Sequence, residues 1–202
     1  MELNFQNIHI CEPSESIITQ LESTISGKNG RKEDLIEIIS YGMSLLKKDD
    51  LDLKLKILIS LYQNNKRLTQ LIEEFGKKSD ILRAIYELVS FGFLSEKNLE
   101  DKPSGYYKNY EYFFSHDRYI YKISKILKQN RRILESEKTL LENEILFQCK
   151  KCNKTYNYIA AMTNNFCCCE KNMIELNKNN LLIEINKKID QIDSKLEIVE
   201  NL

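Results

Sequence analysis

Five of the six cysteines lie between residues 149 and 169, and this cluster constrains the fold more than any other feature of the sequence. A Cys-x-x-Cys pair comes first, and three consecutive cysteines follow after fourteen intervening residues: Cys149 and Cys152, then Cys167, Cys168 and Cys169. A Cys-x-x-Cys turn presents two sulfurs to one tetrahedral ion, so thiolates this close in sequence usually hold a metal. Asn153 suits the left-handed backbone conformation that such a turn needs just past its second ligand. The cluster therefore predicts a metal-binding ribbon.

The second arm of this pattern is irregular. Lys171 stands three residues after Cys168, where a second Cys-x-x-Cys pair would place its cysteine. One alternative is a pair of surface thiols beside a chance run of cysteines. Another is a redox dithiol at Cys149 and Cys152, although the thioredoxin-like βαβ pattern that usually accompanies such a dithiol is not evident.

Charge and composition predict a mainly helical protein with no overall attraction to nucleic acid or anionic membrane. The 202 residues include 30 basic and 30 acidic side chains, so the formal net charge is zero. Glycine and proline are scarce, at six and two residues, which favours helices. No apolar run of about 18 residues predicts a membrane-spanning helix, and residues 1–13 are unlike a secretory signal. Clustered thiols fit a reducing compartment, so we expect an intracellular, soluble protein.

The spacing of apolar residues predicts four helices and then a β-hairpin in the first half of the chain. Residues 1–30 are expected to form a flexible extension, with at most a short helix over 14–22. From residue 33, apolar side chains recur at helical spacing, and the start and stop signals are Asp49 and Asp50, Gly76, Ser79 and Gly92. Residues 93–99 and the aromatic segment 106–114 have strand character. This order predicts a winged helix-turn-helix domain over residues 31–115; the alternative is a generic small helical domain with an aromatic loop.

The second half of the chain predicts three further segments. These are a long linker helix over residues 116–145, a zinc-ribbon-like module over 146–178 and a C-terminal amphipathic helix over 179–202. Apolar residues of the last helix alternate spacings of three and four, a pattern that favours packing on another helix, either within the chain or on a partner. The first half of the linker helix carries a one-sided basic run: Arg118, Lys122, Lys125, Lys128, Arg131 and Arg132. Such a run is usually a solvated face, but it also suits an acidic protein or a nucleic-acid backbone.

No group of residues indicates catalysis, so we do not expect an enzyme. His9 and His116 are far apart, and neither a glycine-rich phosphate loop nor a Gly-x-Ser-x-Gly motif occurs. A winged helix suggests DNA binding, yet residues 33–114 contain twelve Lys and Arg against fourteen Asp and Glu. Neutralising phosphates requires several clustered cations. We therefore expect a protein surface as the target, with these partner-contact residues: Tyr106, Tyr107 and Tyr110 of the hairpin, and Arg118, Lys122, Lys125 and Arg132 of the linker helix.

The order of these parts resembles the alpha subunit of general transcription factor IIE and its archaeal counterpart, transcription factor E. The segments that carry the resemblance are residues 109–113, 131–135, 147–152 and 185–202. It extends over roughly residues 33–202 and depends on the order and distances of the motifs. The linker helix is more similar to the eukaryotic members.

The resemblance implies a non-enzymatic transcription initiation factor. Such a factor would bind the clamp of a multisubunit RNA polymerase, RNA polymerase II in a nucleus, near promoter DNA and would help the strands open within the preinitiation complex. The linker helix would help pair with a beta-like subunit, while promoter DNA would be bound weakly or only in the complex, and no membrane would be involved. The expected location is the nucleus, or the cytoplasm of an archaeon. Since the sequence ends at Leu202, recruitment of the helicase-bearing factor through an acidic tail is not expected.

The resemblance also implies zinc as the cofactor of the ribbon. Cys149, Cys152 and Cys168 would occupy matching positions, and Cys167 or Cys169 would substitute for the cysteine that Lys171 replaces. The candidate metal ligands are thus Cys149, Cys152, Cys168 and Cys169. Adjacent sulfurs chelate one ion awkwardly, so weak binding or its loss stays open. The competing hypothesis is a sequence-specific winged-helix DNA-binding regulator whose ribbon senses metal or thiol oxidation.

Overall fold

A computed structural model of the protein describes residues 15–25, 32–46, 49–99 and 110–202. These residues fold as two compact units. The head unit contains the described residues up to Lys125 together with residues 198–202, and the ribbon unit contains residues 126–197. The structure is mostly helical with small antiparallel sheets, as the sequence predicts. None of the described helices has the length and apolar character needed to span a membrane.

The head unit begins with five helices, whose bounds are α1 Glu15–Thr24, α2 Lys32–Ser44, α3 Leu51–Gln63, α4 Leu68–Phe75 and α5 Lys78–Phe91. Apolar residues at helical spacing turn one face of each helix inward, and the buried side chains include Ile39, Leu58, Leu71 and Leu88. The predicted flexible extension falls partly outside the described residues, and its described part contains α1.

Two of the predicted helix caps are wrong in their chemistry. Asp50 precedes α3 but makes no side-chain capping bond; its backbone is left-handed, with φ 57°, and its carboxylate pairs with Arg83. Ser79 lies inside α5, because the helix begins one residue earlier at Lys78. The Ser79 hydroxyl donates to the Asp80 carboxylate over 3.3 Å and leaves the helix start uncapped by a side chain. Asp50 thus gives its carboxylate to Arg83, whereas Ser79 lies two residues beyond the cap position at Lys77.

Gly92 ends α5 as predicted. Its φ is 98°, a left-handed conformation that favours glycine, and its N–H donates to the carbonyl oxygens of Leu88 and Val89. A Cβ at this position would also lie 3.4 Å from the Cβ of Lys122. That distance is an ordinary van der Waals contact, so glycine is needed here for the left-handed helix end.

A three-stranded antiparallel sheet completes the head unit in the order β1-β3-β2. Its strands are β1 Lys66–Arg67, β2 Leu94–Asn98 and β3 Tyr110–Phe114. Strands β2 and β3 match two predicted strands and pair in register, with Glu96 opposite Tyr112. Strand β1 was not predicted, because two residues between helices carry no periodicity. The connection between the two predicted strands, residues 100–109 with Tyr106 and Tyr107, lies outside the described residues.

Helix α6, His116–Asn143, is the predicted long helix, and its first turns complete the core of the head unit. The Tyr119 side chain is fully buried, and its ring stacks on Phe93 at 4.3 Å. The Tyr119 hydroxyl donates to the carbonyl oxygen of Ile38 in α2 over 2.5 Å. Gly42 faces this hydroxyl across the contact, and any Cβ there would overlap it. Helix α2 thus needs a glycine in its interior because Tyr119 occupies the space beside it.

In the ribbon unit, α6 lies antiparallel to α8, Asn179–Asn201. Arg131, in the middle of α6, pairs with Asp193 in the second half of α8 at 2.7 Å. Lys178, just before α8, donates to the carbonyl oxygen of Glu144, just after α6, over 2.9 Å. The end of α6 therefore lies beside the start of α8. The buried side chains recur every seven residues: Leu127, Leu134 and Leu141 on α6, and Ile185 and Ile192 on α8. This spacing is typical of a coiled-coil seam. The amphipathic pattern of α8 therefore has its partner within the chain.

A small cysteine-containing module connects the two helices. Its elements are β4 Leu146–Gln148, β5 Thr155–Asn157, α7 Tyr158–Thr163, β6 Cys167–Cys168, β7 Lys171–Asn172 and β8 Ile174–Glu175. Strand β4 pairs antiparallel with β5 on one side and β8 on the other, while β6 and β7 form a separate hairpin. The short helix α7 was not predicted, although Asn157, whose side chain accepts from the Ala160 N–H over 2.9 Å, is a preferred N-cap residue.

Candidate metal centre and charged surfaces

The first pair of cysteines lies in the loop of the β4–β5 hairpin. The Cys149 N–H donates to the Lys154 carbonyl oxygen over 3.1 Å, and the Asn153 N–H donates to the Cys149 carbonyl oxygen over 2.8 Å. Asn153 has a φ of 58°, the left-handed conformation predicted for it. The loop therefore turns both sulfurs, on Cys149 and Cys152, toward the same side.

The second pair of cysteines, Cys168 and Cys169, lies at the turn of the β6–β7 hairpin. Cys168 pairs with Lys171 across the β6–β7 hairpin, which leaves Cys169 and Glu170 as a two-residue turn. Both have positive φ, 51° and 63°, as a type I′ turn requires. Asparagine and glycine are the usual residues in such a turn, and other side chains are strained there. This turn brings the sulfur of Cys169 beside that of Cys168, so the missing cysteine at position 171 is replaced from within the turn.

The structure brings together the four predicted ligands, Cys149, Cys152, Cys168 and Cys169. Their sulfurs all lie within 4.8 Å of one another. The Sγ of Cys168 is 3.6 Å from those of both Cys152 and Cys169. Sulfurs bound at about 2.3 Å to one tetrahedral zinc stand about 3.8 Å apart. Four thiols at this separation are a donor set that suits zinc.

Cys167 does not join this group. Successive residues of a strand point to opposite faces, and Cys168 turns inward. The Cys167 thiol instead donates to the Asn172 side-chain oxygen over 3.2 Å. Of the two substitutes that the sequence leaves open for the fourth position, the geometry favours Cys169.

The local electrostatics favour one thiolate and oppose a second. The backbone N–H groups of Cys152 and Lys151 donate to the Cys149 sulfur and lower the pKa of that thiol to about 7. The hydrogen bonds of Cys169 with Cys168 and Cys152 raise the pKa of the Cys169 thiol to about 12. Neighbouring thiolates repel one another unless a cation lies between them. A bound dication would remove that penalty, because metal ligation requires deprotonated sulfur.

Tyr156 is a further member of the site that the sequence pattern does not identify. Its hydroxyl lies 3.2 Å from the Cys168 sulfur, and this hydrogen bond raises the pKa of Tyr156 to about 12. Groups that hydrogen-bond to a ligand orient it and tune the metal. Three rings of the same module pack together, with Phe147 and Phe166 centred 5.0 Å apart and Tyr158 beside both. In the sequence, only the aromatic residues between the cysteines pointed to this contact, and their spacing does not show which cysteine Tyr156 would reach.

The predicted partner-contact residues are spread over both units. Tyr110 begins β3 and is half-buried, while Arg118 and Lys125 are exposed and Lys122 is half-buried on α6 in the head unit. Arg132 is exposed on α6 in the ribbon unit. Tyr106 and Tyr107 fall outside the described residues. The contact role of all seven stays a prediction.

Ion pairs neutralise the helix that would face DNA in a winged-helix protein, namely α5. Arg83 of α5 pairs with Asp50, and Lys77 lies 3.8 Å from Asp80. Lys54 of α3 pairs with Glu87 of α5 at 2.6 Å. A cation already paired with a carboxylate gains less from a phosphate, because it must give up its partner first. The described part of α5 is thus a poor surface for gripping a nucleic-acid backbone.

Comparison with known proteins gives one informative similarity. The chain is 32% identical over 103 residues to Transcription factor E of Ignicoccus hospitalis. The match covers 49% of this chain and 57% of that relative, so the chain spans little more than half of its relative's length. No protein-family model matches the chain. The resemblance expected from the order of sequence motifs is confirmed by this similarity.

Proposed function

We propose that this protein is a general transcription initiation factor similar to the alpha subunit of transcription factor IIE. The observation that carries the proposal is its similarity to Transcription factor E, an archaeal transcription factor by name. Its activity would be non-enzymatic. It would bind the clamp of a multisubunit RNA polymerase and support promoter opening within the preinitiation complex.

In this proposal the head unit works as a winged helix. Residues 31–115 form that domain, α5 is its third main helix and the β2–β3 pair is its wing. The helix order and the antiparallel pairing support this assignment. The ion pairs on α5 support a protein target rather than a tight grip on duplex DNA. The factor would therefore favour the opened promoter complex by contacting that state better than the closed one.

The remaining segments serve as a spacer and a second contact. Residues 116–145 form the linker helix, 146–178 the zinc ribbon and 179–202 the closing helix that packs on the linker. The linker helix would also help pair with a beta-like subunit. The expected location is a nucleus where the polymerase is RNA polymerase II, or the cytoplasm of an archaeon.

Zinc would have a structural role in the ribbon. Cys149, Cys152, Cys168 and Cys169 would hold it, with the Tyr156 hydroxyl supporting Cys168. The ion would fasten the β4–β5 loop to the β6–β7 hairpin, two elements too small to bury a core of their own. Fixing the module in this way would give its surface a defined shape for binding the polymerase.

A reconstituted transcription reaction tests the proposal. Purified polymerase and its promoter-binding factors are assembled on a promoter with and without the full chain, and single-stranded thymines are detected with permanganate. We expect the chain to co-purify with the polymerase and to increase opening of the promoter. Absence of both effects, with footprinting of the chain alone on a defined duplex, would favour the DNA-binding regulator instead.

A further inference from the structure

A groove with a largely apolar lining opens on the head unit. It has a volume of about 410 Å³ and lies between α5, the sheet and the start of α6. The residues that line it include Leu82, Ile85, Tyr86, Val89, Glu96 and Arg118. Its walls are thus the outer face of α5 and the first turn of α6.

Tyr86 marks the groove as a binding surface. Its side chain is 75% exposed, although tyrosine is a residue type of intermediate burial. Leu82 and Val89 stand one turn on either side of it on α5, so the three side chains form one apolar face. Exposed aromatic side chains beside aliphatic ones are enriched at protein interfaces.

The charges beside the groove select the kind of ligand. Among the residues that line it, Arg118 is the cation and Glu96 the acid. The next turns of α6 add Lys122, whose stem packs at Gly92, and the exposed Lys125. These three cations recur at spacings of four and three, so they lie along one face of α6. Glu96 and the exposed Asp117 oppose them only in part.

The apolar floor argues against nucleic acid as this ligand. A nucleic-acid groove places cations along its length to follow the phosphates, whereas here they stand on one wall only. Arg83 of α5 pairs with Asp50, and Lys77, which comes just before α5, lies 3.8 Å from Asp80. An apolar floor with a basic wall matches an amphipathic peptide that has carboxylates along one edge.

We propose that this groove binds a short acidic segment of a partner protein. Aromatic or aliphatic side chains of the segment enter between Tyr86 and the sheet, and its carboxylates face Arg118 and Lys122. The inference rests on the proposed function, since it specifies what the head unit recognises on the transcription machinery.

A random-peptide display library provides the test. Peptides are selected on the full chain, and those that also bind the Tyr86→Ala/Arg118→Gln double variant are removed. We expect the retained peptides to be enriched in Asp and Glu beside aromatic or aliphatic residues. Each single variant should weaken the best peptide by about tenfold, equivalent to about 1.4 kcal/mol. Lys97→Gln is the matched control, because this exposed residue of β2 follows Glu96 and points to the opposite face of the sheet.

Three results would overturn the inference. The first is a selection that yields no groove-dependent peptide, or yields basic ones. The second is equal weakening by Lys97→Gln. The third is binding of single-stranded or duplex DNA that disappears in the same groove variants. Co-purification with polymerase is measured separately. Selection of acidic peptides without co-purification would contradict the proposed function alone. Co-purification without selection of acidic peptides would contradict the groove alone.

Discussion

Single residues decide which thiols form the candidate metal centre. Cys169 reaches the cluster only because Cys169 and Glu170 adopt left-handed conformations, while Cys167 points to the other face and bonds to Asn172. We expect Cys169→Ser to lower zinc content and to weaken the charge-transfer absorbance of the cobalt-substituted protein. Cys167→Ser is the matched control, and it should leave both unchanged. Equal loss from the two variants would mean that the cluster is not built as described.

Gly42 and Tyr119 provide a second test at the same scale. Replacing a helix-interior glycine by alanine normally stabilises by about 0.5–1 kcal/mol, but a Cβ at Gly42 would overlap the Tyr119 hydroxyl. We expect Gly42→Ala to destabilise the head unit in urea unfolding followed by circular dichroism. Tyr119→Phe should cost about 1 kcal/mol through its lost hydrogen bond to Ile38.

The double variant distinguishes this contact from a general defect. Since Tyr119→Phe removes the atom nearest to the new Cβ, Gly42→Ala should cost at least about 0.5 kcal/mol less in the Phe background. Additive costs would contradict the packing of α6 on α2. Burial also raises the pKa of Tyr119 well above its usual value of 10.0. The neutral Tyr119 hydroxyl therefore stabilises the fold fully below pH 10. Its contribution to the free energy of unfolding should decrease as the pH rises above 10, and Tyr119→Phe should not show this decrease.

Among the elements, the packing of α6 on α8 provides the main core of the ribbon unit. Leu134 is fully buried in the middle of the seven-residue repeat, between Leu127 and Leu141. Leu134→Ala should lower the free energy of unfolding by about 2–5 kcal/mol, through lost burial and the cavity left behind. Ile183→Ala is the control, because Ile183 is 68% exposed on α8 and should change stability by less than about 0.5 kcal/mol.

Metal removal tests the module between those helices. The β6–β7 hairpin has two residues per strand and the β4–β5 hairpin three, so neither is stable by itself. We expect a chelator to accelerate hydrogen exchange across residues 146–175 and to leave α3 of the head unit protected. Unchanged exchange in the module would mean that the ribbon folds without metal.

How far the sequence predicts the elements depends on the kind of signal. Residues that act through their own backbone were identified: Asn153 is left-handed, and Gly92 ends α5. Residues whose role depends on a distant partner were not. Asp50 was expected to cap α3, but Arg83, 33 residues away, takes its carboxylate. Nor does local sequence show that Tyr156 would reach Cys168, since strand alternation specifies a face and not the atom that lies there.

For the whole molecule, charge is the property that composition predicts best. Equal numbers of acidic and basic residues predicted no overall attraction to nucleic acid, and the structure adds that Arg83 of α5 and Lys77 just before it lie beside carboxylates. The groove beside Tyr86 was not predictable, because it requires α5, the sheet and α6 to meet in space. Periodicity identifies each element but does not give the shape of the surface between them.

We propose that the head unit is a docking surface for proteins and not an independent DNA-binding domain. The affinity of the full chain for a promoter duplex provides the test, measured by fluorescence anisotropy at physiological salt with and without purified polymerase. For the duplex alone we predict a Kd no tighter than about 10⁻⁶ M, within the range of non-specific binding. Polymerase should capture the chain at concentrations where the duplex does not. Sequence-dependent nanomolar binding to the duplex without polymerase would contradict the account.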